Sequence, residues 1–201
     1  MDDTNIVTRC RKIPFFLSRH FAEFPVRFRA DRTLKGGAMP NNSPENLEKI
    51  VEQCILMEIQ AMRLYTTLAN RVTEEETSRM LRHLAEMEES HVTRLVEIFS
   101  GAIENADKAL SRVDIVKAFQ SEAWRMHNAR LRGAGLTETS PLDDYLTFAI
   151  VAESHARSHY DRLSAETGDE KAKEIFRTLS REEADHETHL KTIQTSLRES
   201  R

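Results

Sequence analysis

Glu58, Tyr65, Glu88 and His91 recur as Glu153, Tyr160, Glu183 and His186, 95 residues further on and with the same internal spacing. Each copy reads Glu-x6-Tyr, then an interval of 22 residues, then Glu-x2-His. Together the copies supply four carboxylates and two imidazoles, the donor set of a carboxylate-bridged two-metal site inside a four-helix bundle. On a helix, residues i and i+3 are neighbours, so Glu-x2-His turns an oxygen and a nitrogen donor to one face. Glu58 and Glu153 would come from the other two helices. Four buried carboxylates facing one another are costly unless cations supply the opposite charge. Carboxylate with imidazole suits iron, or manganese, better than a structural zinc site. Tyr65 and Tyr160 lie two turns after Glu58 and Glu153 on the same face. There they would hydrogen-bond the ligand carboxylates or take a redox role beside the metals.

The elements that must position these residues follow from the repeat. Further positions agree at the same offset: Ala61 with Ala156, Leu68 with Leu163, Glu75 with Glu170, Leu84 with Leu179 and Leu95 with Leu190. A repeat of this kind describes two copies of a helical hairpin. In the first helix Leu47, Val51, Cys54, Glu58, Ala61, Tyr65, Leu68 and Val72 recur at steps of four and three, a seam facing a bundle interior. The second, from about Glu74 to Ser100, carries Leu81, Leu84, Glu88, His91, Leu95 and Ile98 on its seam. The third carries Leu142, Leu146, Ala149, Glu153, Ala156, Tyr160 and Leu163. The fourth, after Gly168, carries Ala172, Phe176, Leu179, Glu183, His186, Leu190, Ile193 and Leu197. Ser43-Pro44 and Ser140-Pro141 read as helix starts, with serine as N-cap and proline at the first helical position.

Short turns within each hairpin make its helices antiparallel. The long middle segment, about 101–139, can run the length of the bundle. Ile115, Val116, Phe119, Ala123 and Met126 predict an accessory helix within it, ending near Gly133-Ala134-Gly135. The expected fold is therefore all-α, a ferritin-like four-helix bundle with one long crossover. Other histidines are weaker candidates: His155 and His159 leave the seam, and His83, His127 and His189 read as solvated. Glu89 and Glu182 point about 100° away from the neighbouring ligand, which favours salt bridges over coordination. Trp124 reads as a packing anchor, and Cys54 as a small core residue.

Composition narrows the function. With 201 residues, one domain is the default, and a formal net charge of -4 argues against nucleic acid as the main partner. No apolar run reaches membrane-spanning length. Cys10 and Cys54 form no CxxC pair, so no thiolate centre is expected within the chain. Residues 1–38 differ from the rest: they hold five of the nine phenylalanines, and eight Lys/Arg against four Asp/Glu. Residues 1–40 are read as an extension, disordered or targeting, and residues 41–201 as the bundle domain.

The stretches Met57–Tyr65, Leu84–His91, Ala152–Tyr160 and Glu182–His186 resemble the four ligand helices of the rubrerythrin branch of the ferritin-like superfamily. The resemblance covers about residues 43–198. It implies a non-haem diiron oxidoreductase with two iron ions, held and bridged by Glu58, Glu88, Glu153 and Glu183 and completed by His91 and His186. It implies reduction of hydrogen peroxide in oxidative-stress defence, in the cytoplasm, with homodimerisation. Rubrerythrins proper carry a four-cysteine rubredoxin domain. None is seen here, so the electron donor is expected to be a separate protein such as a rubredoxin. They also carry a further glutamate one turn after the third ligand, where this chain has Ala156. The alternatives are a ferroxidase or iron-binding or iron-sensing protein using oxygen, a diiron hydroxylase, and a manganese catalase.

Overall fold

A computed structural model describes residues 44–102 and 112–199. Every element among them is helical: α1 (Pro44–Arg71), α2 (Glu75–Ala102), α3 (Arg112–Gly133), α4 (Leu142–Glu166) and α5 (Glu170–Glu199). Helices α1 and α2 pack as one hairpin, α4 and α5 as the other, and α3 lies against α1 and α2. This is the all-α bundle with an accessory helix in its crossover that the repeat predicts. The extension expected over residues 1–40 lies outside the described residues. No described helix is long and apolar enough to cross a membrane.

The two hairpins begin their second helices in the same way. Carboxylate oxygens of Glu74 accept the backbone N–H groups of Glu76 and Thr77 at 2.8 and 2.6 Å. Asp169, 95 residues on, accepts the Ala172 N–H at 2.7 Å. Each carboxylate satisfies N–H groups that the first turn leaves without intrahelical partners, and it sits at the positive end of the helix dipole. Helix α3 ends differently. Gly135 adopts φ 73°, and beyond it the Leu136 N–H turns back to the Leu131 carbonyl at 2.9 Å. A side chain there would meet no neighbour, so glycine is favoured by the left-handed backbone rather than by space.

Three local expectations are corrected. Ser140 does not cap α4: Pro141 is extended (φ -53°, ψ 147°), no side chain caps the helix, and the helix begins at Leu142. Instead the Ser140 hydroxyl accepts the Thr137 N–H at 2.9 Å. Trp124 is no buried anchor, being 51% exposed with the Arg63 guanidinium over its ring at 4.8 Å. His127, expected in solvent, is buried. It follows Ala123 by one helical turn and so shares the face that α3 turns to α1. Burial, with Arg130 and Arg63 nearby, pushes its pKa down to about 4.

The core has two apolar clusters. One gathers Val51, Ile55, Leu95, Ile98, Phe176 and Leu179. The other gathers Leu68, Leu81, Leu84, Leu146, Leu190 and Ile193. On each of α1, α2, α4 and α5, the repeated Glu and His residues fall where one cluster gives way to the other. The repeated Glu and His residues thus occupy one zone in mid-bundle, between the two apolar clusters.

Candidate metal centre

Glu58, Glu88, His91, Glu153, Glu183 and His186 are all buried, with Glu88, His91 and His186 wholly excluded from solvent. The seam dictates this: each residue occupies a core position that its neighbours one turn away fill with leucine, isoleucine or alanine. Glu88, His91, Glu183 and His186 bring donor atoms within 4.8 Å of one another, a cluster able to hold metal.

The arrangement has an approximate twofold order. Glu88 places Oε2 at 3.0 Å from His91 Nδ1 and Oε1 at 2.9 Å from His186 Nδ1. Glu183 does likewise, with Oε1 at 3.1 Å from His91 Nδ1 and Oε2 at 3.3 Å from His186 Nδ1. Each of these carboxylates therefore spans both imidazoles, the disposition of a bridging ligand. Glu58 and Glu153 serve one side each. Glu58 Oε2 is 3.3 Å from His91 Nδ1, and Glu153 Oε2 is 4.0 Å from His186 Nδ1. The imidazole rings lie nearly parallel, 12° apart, with centroids separated by 5.2 Å.

Both tyrosines bind carboxylates in a crossed pattern. The Tyr65 hydroxyl donates to Glu153 Oε1, and the Tyr160 hydroxyl donates to Glu58 Oε1. Each is fully buried. Tyr160 stacks on Phe176, ring centroids 6.0 Å apart. Burial and the Glu58 carboxylate beside it raise the Tyr160 pKa well above the ordinary phenol value, which keeps the donor protonated.

Electrostatics divide the carboxylates into two pairs. Burial, then the charges of Glu183 and Glu88, push the Glu58 pKa well up. Burial and Glu183 do the same to Glu153. Burial acts on Glu88 and Glu183 too, but contacts from neighbouring residues, including both imidazoles, outweigh it and lower them. The imidazoles are raised in turn. Burial opposes their charge, yet His91 is raised by contacts with Glu182, Glu183, Glu58 and Glu88, and His186 rises to about 9 through Glu183 and Glu88. The crowding of four carboxylates in one core thus favours protonated Glu58, Glu153 and imidazoles when no cation is bound.

The fit to a metal pair is tested by the buried atoms left without hydrogen bonds. Among the described residues, both oxygens of Glu88, both of Glu183 and Nδ1 of His186 have no aligned hydrogen-bond partner, and all of them face the centre. Native cores rarely leave buried polar atoms in that condition. Here they sit on the residues that converge on one point. Carboxylate oxygen and imidazole nitrogen are donors to divalent metal, so the residues fit such a group.

Among the weaker candidates, His83 and His189 are exposed and His155 and His159 half-buried, none of them in the cluster. Cys54 is a buried free thiol in the core, with its pKa raised by burial and by Glu58. Glu182 does form a salt bridge, to Arg94 at 2.5 Å. Its second contact was not anticipated: Oε2 stands 3.0 Å from His91 Nε2. Sequence position alone does not reveal it, because the contact joins helices of different hairpins.

A helical bundle with a mid-core cluster of carboxylates and imidazoles belongs to the ferritin-like class. The family model named Rubrerythrin matches residues 37–134 and 142–201. The chain belongs to the rubrerythrin family, a ferritin-like diiron family. No curated protein and no solved structure matches the chain.

Proposed function

We propose that the protein is a diiron oxidoreductase that reduces hydrogen peroxide. The carrying observation is the convergence of Glu88 and Glu183 on both imidazoles, with their oxygens unpartnered in a closed core. Family membership supports the same reading. Glu88 and Glu183 would bridge two irons, Glu58 and His91 would complete one, and Glu153 and His186 the other. When bound, two ferrous ions supply the two electrons that, with two protons, convert hydrogen peroxide to two waters. The hydroxyl protons of Tyr160 and Tyr65 hold Oε1 of Glu58 and Glu153 in place, leaving Oε2 of each directed at the centre. The two apolar clusters limit the access of bulk water. A separate protein returns the electrons.

A second reading is a ferroxidase that uses oxygen. It is favoured by Ala156, a half-buried alanine one turn beyond Glu153 where rubrerythrins carry a further glutamate. The six-ligand set is then symmetric, as in bacterioferritin centres.

Stopped-flow mixing of anaerobic, Fe(II)-loaded protein with peroxide and, separately, with oxygen tests both. Much faster iron oxidation by peroxide, at about two irons per chain by the ligand set, is expected. Faster oxidation by oxygen would transfer the assignment to the ferroxidase, and failure to bind iron would remove both.

A further inference from the structure

The two halves of the centre are not equivalent on their outer side. His91 Nε2 faces Glu182 Oε2 at 3.0 Å, at ion-pair distance though without hydrogen-bond alignment. Glu182 is anchored in turn by Arg94, whose Nη2 lies 2.5 Å from Oε2 and whose Nη1 donates to Oε1 at 2.9 Å. Helix α5 thus lends a carboxylate to a histidine on α2. Subtracting the repeat interval of 95 from 182 places Met87 at the equivalent position of the first hairpin, and the same operation on 189 pairs His189 with Arg94. The thioether of Met87 offers no anionic acceptor and only a weak acceptor sulfur. Neither Nε2 has an aligned hydrogen bond, but among the described residues only that of His91 has a carboxylate at ion-pair distance, and the carboxylates near His186 all lie at its Nδ1.

A carboxylate on the outer nitrogen of a ligating imidazole fixes its tautomer and ring orientation and increases its basicity toward the metal. We propose that Glu182 is a positioning residue for His91, making the metal position of His91 and Glu58 the tighter of two unequal positions, with that of His186 and Glu153 the weaker. This rests on the metal-centre assignment given above. Inequality follows from three features: the Glu182 contact at His91, the arginine that holds Glu182, and the methionine that replaces it in the other hairpin. Glu182 and Arg94 both reach partial solvent exposure, with side chains 28% and 24% accessible. The tighter position therefore has a charged connection to the surface.

The test is anaerobic calorimetric titration of the full-length, metal-free chain with Fe(II), and with Co(II) as a spectroscopic probe, in the wild type, Glu182→Leu, Glu182→Gln and Met87→Glu. Wild type should bind two ions in two resolved steps. Glu182→Leu should weaken the tighter step by about 10- to 100-fold and leave the weaker step in place. Glu182→Gln, which keeps an acceptor oxygen without the charge, should restore part of the loss. Met87→Glu should strengthen the weaker step and bring the two together. This gain does not depend on whether the Glu182 variants remain folded, which their thermal melts report. In the Co(II) protein, the ligand-field bands of the first-filled ion should change in Glu182→Leu and those of the second should not. Two equal steps in the wild type would overturn the proposal while leaving the metal centre intact. So would a Glu182→Leu titration that matches the wild type, or an equal loss at both steps. A wild type that binds no metal would overturn the metal centre and this proposal together.

Discussion

The Tyr65 hydroxyl donates to Oε1 of Glu153, a carboxylate of the other hairpin, 88 residues away in sequence. Tyr160 returns the same bond to Glu58 across 102 residues. The signature in sequence joins each glutamate to the tyrosine that follows it. In space each tyrosine serves the glutamate of the opposite repeat.

That crossing makes a prediction about coupling. Double-mutant cycles on the metal-free protein, read by chemical denaturation, should show Tyr65→Phe coupled to Glu153→Gln by roughly 0.5–3 kcal/mol, as for residues in direct contact. Tyr65→Phe with Glu58→Gln should be close to additive, although those two residues share a helix. The reverse pattern is expected for Tyr160→Phe. Stronger coupling within a repeat than between repeats would contradict the crossed geometry.

Metal binding should release protons. Without metal, Glu58, Glu153, His91 and His186 each favour the protonated form. Divalent ions displace such protons, so binding should release protons at neutral pH. Apparent affinity should fall steeply as the pH is lowered. Calorimetry in buffers of different ionisation enthalpy counts the protons directly. Binding without measurable proton release would mean that the core groups are already deprotonated in the metal-free protein.

The metal-free fold should itself depend on pH in two directions. His186, raised to about 9, contributes stability that is complete below its ordinary value of about 6.5 and is lost as the pH rises through 9. Glu58 and Glu153, also raised, act with the same sign from the ordinary carboxylate value upward. Glu182, lowered to about 2 through His91 and Arg94 against the effect of burial, contributes stability present above about 4.3 and lost as the pH falls through 2. Glu88 and Glu183 are lowered too and act with the same sign as Glu182. Melting temperature without metal should therefore peak close to the ordinary carboxylate value of about 4.3 and decline from there toward pH 9. Metal-loaded protein should lose that alkaline decline.

Phe176 is buried against Tyr160. Phe176→Ala should cost about 3–5 kcal/mol, the usual range for a large core aromatic. It should also weaken metal binding, because Tyr160 loses the ring that holds its hydroxyl on Glu58. Phe176→Leu refills most of the volume and should recover much of both. Denaturation and metal titration of the two variants provide the check.

Much of this architecture could be read from the chain because buried side chains obey helical periodicity. The seam positions of Leu81, Leu84, Leu95, Phe176 and Leu179 are all buried, as steps of three and four require. Glu88 and Glu183 interrupt the same stripe, and so they face inward. Periodicity places a side chain on a face but does not say which helix meets it. The crossing of Tyr65 to Glu153 and the reach of Glu182 to His91 depend on how two hairpins pack, which no local pattern encodes. His127 and Trp124 show a related limit. They are three residues apart on a helix with a weak apolar stripe, and their exposure was reversed because only packing against α1 decides which one is covered.

The crossed tyrosines have a further consequence for how the protein is put together. Either hairpin alone carries one half of the donors and the wrong tyrosine for its own glutamate. A complete centre requires two hairpins to meet. Joining them through the crossover replaces an encounter between molecules with one inside a single chain. It also frees the hairpins from having to be identical. A self-pairing hairpin would have to carry the same residue at both outer positions, whereas the fused chain can hold Glu182 in one half and Met87 in the other.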